Sequence, residues 1–317
     1  MTSAEPFPKA ELDITRWLGE GHQGEMAWLD AARARLATHP QDLLDGARSL
    51  VVVGVSYRTR DPSRGPGGRV ARYAWGGDYH AAMKSRLKEL ATWLGGRSRV
   101  FVDDGPLVER DAAIRAGLGF RGKNTNLLTG IGSFVFLGAV LTDVALDFDT
   151  PLQKDCGTCR LCIDACPTDA LDEAYHLAAE RCIAYLTIEH RGPISRDLRP
   201  LLGEWVFGCD ICQDVCPYNA STRGRPSAWS EFEPRLGTRL DLDRVLFMDE
   251  ETFRETFRGS PIKRTKRRGL VRNAALALGN LGGDASSRSR LEQLAAEDPD
   301  PVVSEAAAWA LRQLPSS

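Results

Sequence analysis

All eight cysteines of this 317-residue chain lie between positions 156 and 216, and their spacing commits that stretch to folding around metal. Cys156, Cys159, Cys162 and Cys166 form C-x2-C-x2-C-x3-C followed by Pro167, the bacterial ferredoxin run. In such a run the first three thiolates bind one cubane and the fourth reaches across to a second. Farther on, Cys209, Cys212 and Cys216-Pro217 supply only C-x2-C-x3-C-P, with Val206 where a further ligand would stand. A second cubane then holds Cys166, Cys209 and Cys212 and lacks one thiolate. Cys182 is the one cysteine left over, so the accounting closes at four plus four. The expected sets are Cys156, Cys159, Cys162 and Cys216 on one [4Fe–4S] cluster and Cys166, Cys182, Cys209 and Cys212 on the other. Structural zinc is the alternative for paired C-x2-C elements, although zinc sites seldom use three x2-spaced cysteines followed by x3-C-P. Two cubanes imply a chain that moves electrons.

Disulfides are the remaining use for so many thiols, and the expected compartment argues against them. Met1 to Asp13 has no apolar core and no twin-arginine pattern, so neither kind of export leader is read there. The longest apolar stretch, Phe134 to Leu146, is broken by Thr142 and Asp143 and is too short to span a bilayer. The expectation is a cytoplasmic, membrane-free monomer whose thiols stay reduced. Its net charge of −2 gives no global reason to bind nucleic acid, but the distribution does. Arg254, Arg258, Lys263, Arg264, Lys266, Arg267, Arg268 and Arg272 face a single acid, Glu255, between 254 and 272. The rest of the chain holds 33 basic and 42 acidic residues. A cationic strip on an acidic body attracts a polyanion at one place; a solvated basic helix start is the competing explanation.

Three regions are expected. Residues 1–150 look α/β, with helical spacing at Ile14–Leu18, Met26–Leu36, Asp78–Leu94 and Val108–Ala116. Strands are expected at Leu50–Val55, Arg99–Val102 and Ser133–Leu141, and their alternation with helices predicts a mixed or parallel sheet covered on both faces. Between helix and strand, Gly119 to Asn126 is polar and glycine-rich, suited to wrapping a ligand with backbone amides. Residues 151–225 form the ferredoxin-like two-cluster insert, with a helix near Ala178–Glu189. Residues 226–317 are helical, and the pair Gly269–Leu281 and Val302–Leu314, with Arg288–Ala296 and an Asp-Pro turn between, suggests HEAT-like repeats.

Electrons need an acceptor and a proton source. No G-x-G-x-x-G fingerprint follows a strand. The protic candidates are Asp103 and Asp104, at the carboxyl end of a strand where open α/β sheets place ligand chemistry. Asp104 stands just before Gly105-Pro106 and could instead cap the next helix. Asp103 has less structural excuse, and burial beside a bulky apolar cofactor would suit it to general-acid work.

At this point the pattern resembles the epoxyqueuosine reductases. The stretches that carry the likeness include Gly24-Glu-Met-Ala-Trp-Leu29, Arg72-Tyr-Ala with Asp78-Tyr-His80, and Phe101-Val-Asp-Asp-Gly-Pro106. They continue through Glu109-Arg110, Ala116-Gly-Leu-Gly119, Gly122-Lys-Asn-Thr125 and Gly132-Ser-Phe-Val-Phe-Leu-Gly138. Beyond the first cysteine run come Arg181 to Glu189, Gly208-Cys-Asp-Ile-Cys-Gln213, Leu270-Val-Arg-Asn273 and Ala277-Leu-Gly-Asn280. The resemblance implies a cobalamin-binding N-terminal domain, two [4Fe–4S] clusters that reduce the corrin, and HEAT-like helices that help hold tRNA. It implies reduction of epoxyqueuosine to queuosine at the wobble position of the anticodon stem-loop, with Asp103 as proton donor and an unidentified electron donor. Expected corrin contacts are Arg72, Tyr73, Lys123, Asn124, Thr125 and Ser133; expected phosphate contacts are Lys263, Arg264, Lys266, Arg267 and Arg268. Two rival classes stay open. A reductive dehalogenase-like enzyme shares the cofactors but resembles exported proteins, and a plain electron carrier has no use for the flanking regions.

Overall fold

The computed structural model describes residues 1–60, 65–220 and 226–315. The chain opens with β1 (Thr2–Ser3), α1 (Pro8–Gly19), α2 (Ala31–Thr38) and α3 (Pro40–Leu43). Helix α2 starts five residues later than the sequence periodicity suggests. The Asp30 side chain accepts the Arg33 N–H at 2.8 Å and caps the helix there, leaving Met26–Leu29 in turns. Next come β2 (Ser49–Ser56), β3 (Gly68–Val70), α4 (Tyr79–Leu94), β4 (Ser98–Phe101) and α5 (Glu109–Arg115). A hairpin of β5 (Gly119–Arg121) and β6 (Leu127–Thr129) then leads into β7 (Val135–Thr142).

The main sheet has the order β1-β2-β7-β4, and every pairing in it is antiparallel. This corrects the expected mixed or parallel sheet. β2, α4 and β4 do make a strand–helix–strand unit whose strands run the same way, but β7 inserts between them in the opposite direction. Both faces are covered, as expected. Leu50 and Val52 face the apolar cluster containing Phe7, Ala112 and Ala113, while Val51, Val53 and Val55 face the one containing Met83 and Leu87. The valine run therefore sends alternate residues into two cores.

The cysteine-rich segment contributes α6 (Leu161–Asp164), α7 (Ile183–Ile188), β8 (Trp205–Phe207) and α8 (Ile211–Asp214). The helix expected over 178–189 is broken: a 3-10 turn covers Ala179–Arg181, Cys182 is extended, and α7 begins after it. β9 (Arg239–Leu240), α9 (Leu242–Leu246) and α10 (Glu250–Thr256) precede the three long helices α11 (Lys266–Leu281), α12 (Ala285–Glu297) and α13 (Pro301–Gln313). β3 pairs in parallel with β8 and antiparallel with β9, so one small sheet draws on sequence from all three expected regions. One apolar core runs from Val70 through Ile183 and Phe207 to Leu314. The expected boundary at 225 lies outside the described residues. Among the described residues no helix is long and apolar enough to cross a membrane.

Arg272 and Asn273 fasten the long helices to the insert. The buried Arg272 guanidinium donates to the carbonyls of Leu186 (2.6 Å), His190 (2.9 Å) and Gly192 (2.7 Å). Asn273 donates to the carbonyls of Thr187 and Val206, each at 2.8 Å. Arg272 thus leaves the cationic strip to which charge counting assigned it. Its replacement by methionine is expected to strand the buried Leu186 carbonyl and two part-buried ones and cost about 3 kcal/mol. A thermal melt checks this: the midpoint should drop by several degrees, roughly 2–4 °C per kcal/mol for a chain of comparable size.

Candidate functional site

The two cysteine runs fold alike, each with a short helix, α6 or α8, that turns in the same way into its last cysteine. All eight cysteines are free thiols. Electrostatically they fall into two sets. Cys162 feels Cys156 and Cys216, and Cys216 feels Cys156 and Cys159. Cys182 feels Cys166, Cys209 feels Cys182 and Cys166, and Cys212 feels Cys209 and Cys182 first and Cys162 more weakly. Burial pushes the thiols of Cys182, Cys209 and Cys212 up. Thiolates packed together in such a place need cationic charge among them, which iron supplies, so the donor set fits two clusters.

Cys166, Cys182, Cys209 and Cys212 also line a cleft of about 1610 Å³. That exceeds the usual few hundred to about 1,000 Å³ of a drug-sized ligand site. Gly208 shapes this wall: its φ is +69°, and an added Cβ would lie 2.5 Å from the Ala71 Cβ, so only glycine lets the Cys209 loop close against Ala71. Tyr57, Tyr73, Tyr79, Asp103 and Glu109 line the cleft as well, and Leu107, Val108, Leu171 and Ile183 make much of the remainder apolar. A wide, largely apolar cavity that touches one cysteine set and a carboxylate fits a bulky cofactor such as a corrin together with a nucleotide.

Asp103 sits just past β4 with φ +57°, a left-handed conformation that is strained for a residue with a side chain. Two contacts hold it there. Tyr79 Oη donates to Asp103 Oδ2 at 2.5 Å, and the Asp103 N–H donates to Glu109 Oε1 at 2.8 Å. Burial, then the nearby Asp103 carboxylate, pushes the Tyr79 hydroxyl up, so it stays a donor. Asp104 does not cap the following helix; it pairs with Lys84, and α5 begins after Val108 without a side-chain cap.

Tyr79 and Glu109 were not nominated from sequence, although both fall in the stretches that carry the resemblance. Burial pushes the Glu109 carboxyl up to about 8. Folding therefore binds a proton between the ordinary carboxylate range and that value, and stability falls as pH rises through this window. The melting midpoint of Glu109→Gln should gain on the wild type steadily from about pH 5 to about pH 8. Parallel curves would show that the carboxyl ionises normally.

The other nominated residues divide sharply. Tyr73, Asn124 and Thr125 line the cleft, whereas Arg72, Lys123 and Ser133 are engaged elsewhere. Arg72 Nη1 bonds to Asp214 Oδ1 at 2.5 Å and Asp210 Oδ2 at 3.3 Å, bracing the second cysteine turn. Lys123 Nζ donates to the carbonyls of Gly157 (2.7 Å) and Cys159 (2.9 Å), bracing the first. Ser133 Oγ donates to Gln213 Oε1 at 2.8 Å. The polar 119–126 stretch thus serves the cysteine loops through Lys123. In the basic strip, Lys263, Arg264 and Lys266 reach the cleft edge, with Arg264 also paired to Glu189. Arg267 is taken by Asp298 at 2.7 Å and Arg268 by Asp300, both pairs tying α11 to the turn before α13.

Comparison with known proteins agrees with this arrangement. Residues 155–219 match a family described as "4Fe-4S double cluster binding domain", and residues 38–104 match "Epoxyqueuosine reductase QueG, DUF1730". An epoxyqueuosine reductase of Xanthomonas campestris pv. campestris is 40% identical over 321 residues, 96% of this chain and 88% of its own. The Escherichia coli enzyme is 37% identical over 96% of this chain and 83% of its own. Among solved structures, an epoxyqueuosine reductase with a tRNA-Tyr epoxyqueuosine-modified stem loop superposes with a TM-score of 0.90 at 32% identity. That match spans 98% of this chain and 84% of the other. A Bacillus subtilis epoxyqueuosine reductase with its catalytic loop swung out of the active site matches with a TM-score of 0.88 at 31% identity, over 98% and 85% of the two chains.

Proposed function

The chain belongs to the epoxyqueuosine reductase family, and on that premise we propose that it reduces epoxyqueuosine to queuosine at the wobble position of tRNA with cobalamin and two [4Fe–4S] clusters. The observation that carries this reading is the cleft itself, where Cys166, Cys182, Cys209 and Cys212 meet Asp103 across one cavity and Lys263, Arg264 and Lys266 edge it. Tyr73, Asn124 and Thr125 would contact the corrin, and when bound the cofactor supplies the reducing metal centre. Cys156, Cys159, Cys162 and Cys216 would hold one cluster and Cys166, Cys182, Cys209 and Cys212, which line the cleft, the other; together they would supply single electrons from an external donor.

Converting an epoxide to an alkene and water takes two electrons and two protons, so the leaving oxygen must be protonated. Asp103 is the acid for that oxygen, and because it is exposed, solvent can reload it for the second of the two protons. The Tyr79 hydroxyl and the Glu109 carboxyl fix the Asp103 loop so that the proton is presented toward the cleft. Asp103 is itself exposed, and Leu107, Val108 and Ile183 line the same cleft. The 226–317 helices, read as HEAT-like, bring the basic edge to the anticodon stem, whose wobble nucleotide enters the cleft splayed out.

Nucleoside analysis of epoxyqueuosine-bearing tRNA, after anaerobic incubation with the reduced and cofactor-loaded protein, tests the reading. Queuosine should accumulate; unchanged tRNA from protein that carries both cofactors would refute it. Phosphate contacts make a second, graded test. Replacing Lys263, Arg264 and Lys266 together by glutamate should weaken tRNA binding at least about tenfold at 0.1 M salt. The slope of log K against log salt should become shallower by roughly 2 to 3. Equal binding by wild type and variant would leave these three side chains as solvated surface.

A further inference from the structure

A second constellation lies where the end of α1 meets the insert; its Glu20 and His176 line the same cleft as Cys166 and Asp103. The Trp17 indole N–H donates to the Leu177 carbonyl at 2.7 Å, and the Glu25 N–H donates to Tyr185 Oη at 2.6 Å. Between these contacts, Glu20, His22 and His176 bring one ligand atom each within 4.8 Å of one another. Glu20 Oε2 lies 3.7 Å from His22 Nε2 and 3.5 Å from His176 Nε2. The opposite nitrogen of each ring is anchored by its own carboxylate: His22 Nδ1 by Glu180 Oε1 at 3.0 Å, and His176 Nδ1 by Asp172 Oδ1 at 2.8 Å.

Three features of this arrangement go beyond a chance meeting of polar groups. Ligand atoms bound at about 2.0–2.1 Å in a tetrahedron stand about 3.3–3.4 Å apart, close to the two separations measured to Glu20. Both Nδ1 atoms are engaged by carboxylates, and a neutral ring that donates from Nδ1 presents its Nε2 lone pair on the Glu20 side. Carboxylate–histidine pairs of this kind are how proteins orient imidazole ligands and raise their basicity. Finally, the imidazoles are largely sheltered, at 12% and 20% side-chain exposure, while Glu20 at 42% leaves an open side. Imidazole nitrogens with one carboxylate are the donors that zinc-class divalent cations prefer.

We propose that Glu20, His22 and His176 bind one zinc-class divalent cation through Glu20 Oε2 and the two Nε2 atoms, with water in the fourth position. The cation clasps the end of α1 to the 172–180 stretch of the insert. This site does not depend on the reaction assigned to the cleft, nor on the corrin. It holds only nitrogen and oxygen donors, which separates it spectroscopically from any zinc misplaced among the cysteines.

The experiment uses protein loaded with both iron–sulfur clusters, exposed to zinc alone and then desalted. About one zinc per chain should remain beyond the iron. Its K-edge fine structure should show nitrogen or oxygen at about 2.0–2.1 Å and no sulfur shell at about 2.3 Å. His22→Gln and His176→Gln should abolish retention with iron content unchanged. Asp172→Asn keeps the His176 ring and removes only its anchor, and should weaken affinity by about 10–100-fold. It carries the test if a histidine variant loses iron. Failure of the wild type to retain zinc, a sulfur shell, or equal affinity in Asp172→Asn would overturn the proposal. In that event the cluster is a set of histidine–carboxylate ion pairs.

Discussion

Replacing Asp103 by asparagine should lower turnover about 10²–10⁴-fold while leaving iron content and corrin binding at wild-type levels. Asparagine matches aspartate in shape, and its amide oxygen can still accept the Tyr79 hydroxyl that reaches Asp103 Oδ2 at 2.5 Å. The backbone N–H to Glu109 Oε1 is untouched by the change. What disappears is the ability to give a proton to the leaving oxygen. Single-turnover formation of queuosine, set beside iron analysis and corrin absorbance, separates this loss from damage to the cofactors. Tyr79→Phe provides a comparison, because it removes one clamp on the loop and keeps the acid. Its effect should be smaller and should grow with the freedom it gives the strained φ of +57° at Asp103. Near-normal turnover by Asp103→Asn would remove Asp103 as the acid.

The contrast between what was legible and what was not follows the range of each interaction. Cysteine spacing is local, so the two runs could be read directly, and residues 155–219 match a double-cluster binding domain. The valine run at Ser49–Ser56 and the helix at Tyr79–Leu94 were equally open to reading, since periodicity records burial residue by residue. Strand direction was not. Nothing local in Val135–Thr142 says that it slots between β2 and β4 rather than beside one of them. Charge was read too generously for the same reason. Eight basic residues between 254 and 272 look like one surface, but Arg272 is buried on backbone carbonyls and Arg267 and Arg268 answer Asp298 and Asp300 some thirty residues on. The family resemblance implies corrin contacts at Lys123 and Arg72, but it carries no record of what else competes for those side chains. Their bonds to the two cysteine turns depend on distances of 34 and 138 or more residues along the chain, which no window of sequence contains.

Cys182→Ala is the second change with a large expected effect, because Cys182 is the one cysteine that lies in neither motif. The structure gives it a built setting. The Arg181 guanidinium donates to the Thr168 carbonyl at 2.7 Å, tying its turn to the loop just after Cys166. Cys182 then stands at the N-cap position of α7 without a side-chain capping bond, and the nearby backbone amides of Tyr185 and Ala184 favour its thiolate against the burial that pushes the thiol up. Such amides also stabilise a cluster sulfur and tune its potential. Removing this thiol should drop iron from about eight to about four per chain, with the set around Cys156 intact. Because Cys182 lines the cleft with Cys166, Cys209 and Cys212, the cluster lost would, on the proposed reading, be the one that delivers electrons there, and turnover should fall to background. Cys156→Ala makes the mirror case: the same loss of iron, but with the cleft-side cluster retained and still reducible by a small chemical reductant. Some turnover should then survive with such a reductant, whereas Cys182→Ala should show none. Eight irons and normal turnover in Cys182→Ala would mean that a different residue closes the second cluster, and the four-plus-four division of the cysteines would have to be redrawn.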